Sequence, residues 1–313
     1  MKDIFKANGE IRVKNGVLQL SDAPDIVTDG DGDKYIGYEE IGEAYSGNAK
    51  HLIDEGSALT AEYIAEVTKD GLFLDLGCGD GAVTVPCARL GVRVIAGDIS
   101  NKMMEILKER AKRNGISLES VTLCRMNALD IPLRDESVDT VVANSVLHLI
   151  SNPEKVLREI YRVLKPGGRF VCRDDAPDMD RPGAEGFAEE NEEYMKTVGE
   201  IYEGYWAELG KRGVTAKRYS WRFDRDAACR AMFGSVETKR IERGVPYFNR
   251  LVDSFLPRFA GKGFSDQVDV PADLHREVCD RVVGEVREKY GEKFDAVGYH
   301  GIEPDMIITS YVK

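Results

Sequence analysis

The chain has 313 residues, 42% of them hydrophobic, enough for one large domain or two small ones around a sizeable core. Its formal net charge of −12 disfavours broad contact with a nucleic-acid backbone, and "AKRYSWRFDR" (216–225) is the best candidate for a local basic patch. No apolar run approaches the ~18 residues of a membrane helix, and the opening "MKDIFKANGE" lacks the apolar core of a signal peptide.

Residues 1–54 read as a hairpin and helical extension. "IRVKNGVLQL" is the hairpin, turning at Asn15-Gly16. "DGDGDKYIGYEE" then resembles a calcium loop, with Asp29, Asp31 and Asp33 at positions one, three and five and Glu40 at position twelve. Lys34 stands where that loop wants glycine, and neither an entering helix nor a partner loop is evident, so the reading is an acidic surface loop and no metal site. "YEEIGEAYSGNAKHLI" and "ALTAEYIAEV" read as helices closing over a sheet.

Residues 55–175 alternate strand and helix. "GLFLDLG" is a strand, followed by a glycine loop and a short helix through Leu90. "VRVIAGD" is the second strand, and its helix puts Met103, Met104, Leu107 and Ala111 on one face. "SVTLCRMNA" and "VDTVVANSV" are the third and fourth strands. "PEKVLREIYRVL" opens with a tolerated proline, aligns Leu157, Ile160, Tyr161 and Leu164, and stops at "KPGG". "RFVCRDD" is the fifth strand. Apolar strands alternating with helices imply a parallel sheet covered on both faces.

Residues 176–234 read as a helical cap insertion. A helix from about Gly183 to Leu209 carries the stripe Tyr194, Val198, Ile201, Tyr202, Tyr205 and Leu209, and "DRDAACRAMF" is a second helix. Residues 235–313 return to the core with strands at 235–242 and 304–312 and helices at 247–259 and 271–290. The expected fold is α/β, Rossmann-like and doubly wound: a mostly parallel seven-stranded sheet with helical caps. The six cysteines are far apart with no C-x-x-C pair, which suits buried thiols in a reducing, cytoplasmic setting.

In such a sheet the first strand-to-helix loop faces the ligand. In "DLGCGDG", Gly77 and Gly79 let the backbone turn sharply and approach a ligand closely. Asp98 ends the second strand, where an acid accepts hydrogen bonds from ribose hydroxyls. Together they point to a nucleoside without saying which. Gly77-x-Gly79-x-x-Ala82 also satisfies the dinucleotide fingerprint, and a tight turn without a ligand stays open.

"FLDLGCGDGAVT" resembles the first motif of the class I S-adenosylmethionine (SAM) dependent methyltransferases, of the type 11, UbiE-like kind. The resemblance continues in order through "VIAGDISNKMMEIL", "CRMNALDIPLRDESVDTVVANSVLHLI" and "PEKVLREIYRVLKPGGRFVC". It covers roughly residues 55–175, and with "RVLKPGGRF" and Asp75 it fits methyltransferases better than nicotinamide enzymes. It implies that SAM is the co-substrate. Asp75 would orient the methionine end, the backbone of Gly77, Cys78 and Gly79 would pass along the amino-acid portion, and Asp98 would bind the ribose. Ile99 and Met103 would flank the adenine, and Asn127 beside Ala128 would meet its amino group, in place of the usual Asp. Asn144 would lie beside the methionine moiety.

The sulfonium of SAM already activates the methyl group, so the protein mainly supplies proximity and orientation. His148 is a weak candidate for a general base, and Asp174 and Asp175 face the cleft edge; no catalytic residue is assigned. Tyr202, Tyr205, Trp206, Tyr219 and Trp221 either line an apolar acceptor pocket or pack the cap. The expected activity is methyl transfer to a small molecule. A non-catalytic SAM sensor or partner subunit, and a methyltransferase acting on protein or RNA, are the alternatives; nucleic acid and membrane are not expected partners.

Overall fold

The structure, a computed structural model, describes residues 2–6, 11–28, 31–39, 42, 54–175, 191–215, 223–243, 246–267, 269–302 and 305–313. The N-terminal hairpin pairs β1 (Arg12–Lys14) with β2 (Val17–Gln19), and both turn residues, Asn15 and Gly16, have positive φ, as the tight turn demands. A two-residue ribbon follows, β3 (Ile26–Val27) with β4 (Tyr35–Ile36). Most of the helix expected over 38–53 lies outside the described residues.

Helix α1 (Glu55–Thr68) starts where Asp54 Oδ1 accepts from Ser57 N at 2.8 Å. Then β5 (Leu72–Leu76), α2 (Thr84–Arg89), β6 (Arg93–Asp98), α3 (Asn101–Arg113), β7 (Val121–Arg125), β8 (Val138–Val142), α4 (Pro153–Val163) and β9 (Leu164–Asp175) follow in the expected alternation. All five residues of β5 are buried, the mark of a strand covered on both faces. Strand β9 is longer than "RFVCRDD" suggests, because Leu164 already pairs with Val138 of β8, with an irregularity before the pairing resumes at Arg169. Beyond it come α5 (Glu192–Lys211), α6 (Arg225–Met232), β10 (Ser235–Ile241), β11 (Pro246–Arg250), α7 (Phe255–Ala260), α8 (Ala272–Tyr290), β12 (Gly298–Ile302) and β13 (Met306–Val312).

The main sheet has the order β1-β2-β7-β6-β5-β8-β9-β13-β10. Seven of its strands are the expected ones; the count rises to nine because β2 pairs in parallel with β7 and brings β1 with it. Only β1 and β13 run against the rest. Helices α1, α2 and α3 pack one face through Ile64, Val85, Met104 and Leu107, and α4 and α6 pack the other through Leu157, Ile160 and Cys229. Chain order reverses at β5, with β6 on one side and β8 on the other, so a crevice opens at their carboxyl ends.

The segment expected as a helix over 247–259 is different: residues 246–250 form β11, paired antiparallel with β12, and only 255–260 are helical. Helices α5, α7 and α8 share a third hydrophobic cluster of their own, around Tyr205, Phe259, Val278 and Phe294. Among the described residues no helix is long and apolar enough to cross a membrane. All six cysteines are buried and free.

Candidate functional site

The loop after β5 is held from three directions. Gly77 N and Cys78 N both donate to Gly97 O, at 2.7 and 3.0 Å, tying it to β6. Asp98 joins the loop to the start of α3: its Oδ2 accepts from Gly79 N and its Oδ1 from Ser100 N, each at 2.9 Å. Asp80, between the second and third glycines, pairs with Arg110 of α3 at 3.0 Å in a buried ion pair. Removing one partner of such a pair typically costs about 3–5 kcal/mol, since it strands a buried charge.

Two of the glycines serve different needs. Gly77 has φ +72°, and a Cβ there would come within 2.2 Å of Val146 Cγ2, so the fold itself requires it. Gly79 has φ +51°, yet its added Cβ would meet nothing closer than Met103 Cε at 3.4 Å. The space beside Gly79 belongs to the cleft.

That cleft takes in about 930 Å³ of space, part of it open to solvent. Its walls include Asp75, Gly77, Cys78, Gly79, Asp98, Ile99, Met103, Asn127, Ala128 and Asn144. All ten residues expected around the donor thus line one cleft, from the ends of β5, β6, β7 and β8 and from α3. Asn127 Oδ1 accepts from Leu129 N at 3.0 Å, a local turn that leaves the oxygen one more lone pair. Burial pushes the Asp75 carboxyl up to about 7, against the bond it accepts from Thr84 Oγ1 at 2.6 Å; the nearby Asp98 and Asp80 charges add to the rise. Burial also raises the Asp98 carboxyl, opposed by the backbone N–H groups aimed at it. Burial drives the Cys78 thiol well above its ordinary range, so it fills space as a neutral group.

Several cleft residues escape a sequence reading. Tyr35, Ile36, Gly37 and Tyr38 form part of its wall, a strap tied at both ends. At one end Lys34 N donates to Ser151 Oγ and Ser151 N to Lys34 O, both at 2.8 Å, while Lys155 Nζ holds Asp33 Oδ2 at 2.7 Å. At the other end Glu39 Oε2 accepts from Ser100 Oγ at 2.7 Å and Lys102 N at 3.0 Å, capping α3. Glu39 N in turn donates to Asp25 Oδ2 at 3.0 Å, and burial pushes the Asp25 carboxyl up to about 6. Gly97 was signalled only by being a glycine inside a strand, which marks a close backbone approach.

Asp33 is thereby committed to Lys155 and Asn152, and Tyr35 and Ile36 lie in β4. Asp29 and Glu40 of the calcium-like loop lie outside the described residues. Among the described residues no group of three or more His, Cys, Asp or Glu is placed to hold a metal ion.

A second cavity adjoins the first, sharing Ser145 and Val146 with it. His148, Arg173, Asp174, Phe223 and Arg225 complete most of its wall. Ser145 has φ +56°, a strained backbone for a residue with a side chain, at the junction of the two spaces. His148 is at the exposed rim, where partial desolvation lowers its pKa below the ordinary value. Asp174 is bound by Arg225 through both guanidinium Nη atoms. Tyr202, Tyr205 and Trp206 line neither cavity: Tyr205 packs edge-on against Phe259 and hydrogen-bonds His275 Nδ1 at 2.6 Å within the cap. Tyr219, Trp221 and residues 216–222 of the basic stretch lie outside the described residues.

A donor with a cationic amino-acid end, a ribose and an adenine fits this cleft. Its walls offer carboxylates at Asp75 and Asp98, a side-chain-free approach at Gly79 and apolar faces at Ile99 and Met103. Residues 74–172 match the methyltransferase domain family. A demethylmenaquinone methyltransferase of Clavibacter sepedonicus is 32% identical over 148 residues, 45% of this chain and 58% of its own length. The ubiquinone/menaquinone biosynthesis C-methyltransferase of Vibrio campbellii is 35% identical over 101 residues, 31% of this chain and 39% of its own. The YcgJ protein from Bacillus subtilis aligns over 82% of this chain and 97% of its own at 19% identity, with a TM-score of 0.46. The chain spans about half the length of the curated relatives it matches.

Proposed function

We propose, from the membership of residues 74–172 in the methyltransferase domain family, that this chain transfers the methyl group of S-adenosylmethionine to a small-molecule acceptor. The observation that carries the reading is the gathering of Asp75, Asp98 and the Gly77–Gly79 backbone round one cleft at the switch point of the sheet. Buried carboxylates suit a ligand bearing an ammonium and a sulfonium, and would repel a pyrophosphate.

When bound, SAM supplies a methyl carbon activated by its sulfonium, and the acceptor displaces a neutral thioether in line. The chain's part is to hold and orient. Asp75 takes the ammonium, and the loop backbone follows the amino-acid portion. Asp98 keeps lone pairs for the ribose hydroxyls while it holds Gly79 N and Ser100 N. Ile99, Met103, Asn127 and Ala128 form the adenine end, and Asn144 meets the methionine moiety. The strap from Tyr35 to Tyr38 shields the cleft from water. The acceptor enters from the cavity beyond Ser145, where a His148 imidazole neutral at ordinary pH is available to take a proton from an acceptor that has one to lose. The relatives' names, which concern quinones, support a small organic acceptor.

Titration calorimetry with S-adenosylhomocysteine tests the donor site, and a screen of small acceptors with methyl-labelled SAM tests transfer. Wild type is expected to bind and Gly79→Val to lose binding at least 100-fold, because the new side chain enters the cleft and strains a left-handed residue by roughly 1–2 kcal/mol. A wild type that takes up no S-adenosylhomocysteine overturns the proposal.

A further inference from the structure

Ser145 keeps a side chain where its backbone favours none. Among the described residues, five other than glycine have a positive φ: Asn15, Lys69, Glu136, Ser145 and Lys262. Asn15 turns the N-terminal hairpin, Lys69 ends α1, Glu136 lies in the turn before β8 and Lys262 follows α7. None of these four lines the donor cleft or the second cavity, and Ser145 lines both. The turn after β8 is clamped on either side. Ala143 and Leu147 are buried in the core, and Val146 packs its Cγ2 where a Cβ on Gly77 would come within 2.2 Å. A glycine at 145 would make the same turn without strain, so the retained side chain points to a need beyond the turn. The residue is exposed, and its hydroxyl makes no hydrogen bond among the described residues.

Its place says what the hydroxyl can meet. The two cavities have two wall residues in common, Ser145 and Val146. In-line displacement sets the acceptor atom, the methyl carbon and the sulfur on one line, so donor and acceptor spaces open on each other where the methyl crosses. Val146 offers only hydrocarbon there, and Ser145 offers an oxygen with two lone pairs. We propose that Ser145 is a specificity residue at this passage, its oxygen accepting a hydrogen bond from a hydroxyl or amine that the methyl acceptor presents beside the donor's methyl group. The inference rests on the reading of the first cleft as the donor site. It deepens that reading by naming the acceptor class, a molecule with an O–H or N–H group at its reacting end.

The test uses the full chain and two probes that differ at the passage. Sinefungin carries an amine on the carbon that replaces the sulfonium sulfur, where SAM carries its methyl, and S-adenosylhomocysteine carries nothing there. Calorimetry gives both dissociation constants. Wild type is expected to bind sinefungin about tenfold more tightly than S-adenosylhomocysteine, because the charged amine donates to Ser145 Oγ as the acceptor would. Ser145→Ala keeps the strain and removes the hydroxyl, and Ser145→Gly removes both; in each the preference for sinefungin is lost. Ser145→Asn tolerates the left-handed backbone, restores an acceptor oxygen and regains part of the preference. A serine that only shapes the turn gives a different result, since glycine suits that turn and would leave the preference intact. Probes that bind wild type alike, or a preference that persists in Ser145→Gly, overturn the proposal, as does a fall in both affinities that leaves their ratio unchanged. If wild type takes up neither probe, the donor-site reading has failed and this inference falls with it. If it takes up S-adenosylhomocysteine and the preference is missing or indifferent to residue 145, this inference alone has failed.

Discussion

Asp75, one residue before the end of β5, has 2% of its surface exposed, and its carboxyl, raised to about 7, is charged only at a cost. The unfolded chain would ionise it near 3.8, so this group stabilises the folded protein fully below that pH. The contribution drains away as pH rises towards 7, a loss on the order of 4 kcal/mol by linkage. An ammonium placed beside it reverses the preference, because only the carboxylate pairs with a cation. Donor binding should therefore release a proton below pH 7. The expected outcome is that the affinity for S-adenosylhomocysteine rises from pH 5 towards pH 7, by up to about tenfold per pH unit, and levels off above. In Asp75→Asn the profile flattens and the plateau affinity falls. Calorimetry in buffers of different ionisation heat counts the proton directly, and a pH-independent wild-type affinity would remove Asp75 from the ammonium site. The acid was legible from its place two residues before Gly77; its protonation was not, because its burial and the nearby Asp98 and Asp80 charges depend on the folded loop.

At the scale of elements, the strands and helices of the core were legible because each carries its own signal. Apolar runs made β5, β6 and β8, and Met104, Leu107 and Ala111 made the inner face of α3. The strap over the cleft carries almost no local signal. Its strand β4 is two residues long, and its ties are to partners far along the chain: Ser151 lies 117 residues from Lys34, and Ser100 lies 61 from Glu39. Strand β11 was misread for a related reason. Leu251, Phe255 and Phe259 recur every four residues and extend a helical pattern backwards over residues whose pairing with β12 is distant in sequence. One end of the strap is tied to α3 through a single side chain. Glu39 places a carboxylate at the positive end of α3 and accepts from Ser100 Oγ and Lys102 N. Glu39→Gln keeps the shape and removes the charge, a loss of about 1 kcal/mol. The expected result is a several-fold faster release of S-adenosylhomocysteine in stopped-flow, with the association rate little changed. An unaltered release rate would show that the strap does not retain the ligand through this contact.

Across the whole molecule, three hydrophobic clusters rather than one divide the stability. Two flank the sheet and frame the donor cleft, and the third binds α5, α7 and α8 to one another. The cap core is aromatic: Phe259 is fully buried, stacks on Phe255 with centroids 5.2 Å apart, and meets the Tyr205 ring at 5.1 Å. His275 closes it with polar bonds, Nδ1 to Tyr205 Oη at 2.6 Å and Nε2 to Ala260 O at 3.0 Å. None of these side chains reaches the donor cleft. Truncating Phe259 to Ala should thus act locally. The lost contacts and the cavity left behind amount to about 3–5 kcal/mol, enough to open the cap while the sheet stays closed. In hydrogen exchange, protection of α5, α7 and α8 should fall, while β5 to β9 keep theirs and the affinity for S-adenosylhomocysteine holds. If protection falls to the same degree in β5 to β9, cap and sheet unfold as one unit and the third cluster is not an independent source of stability.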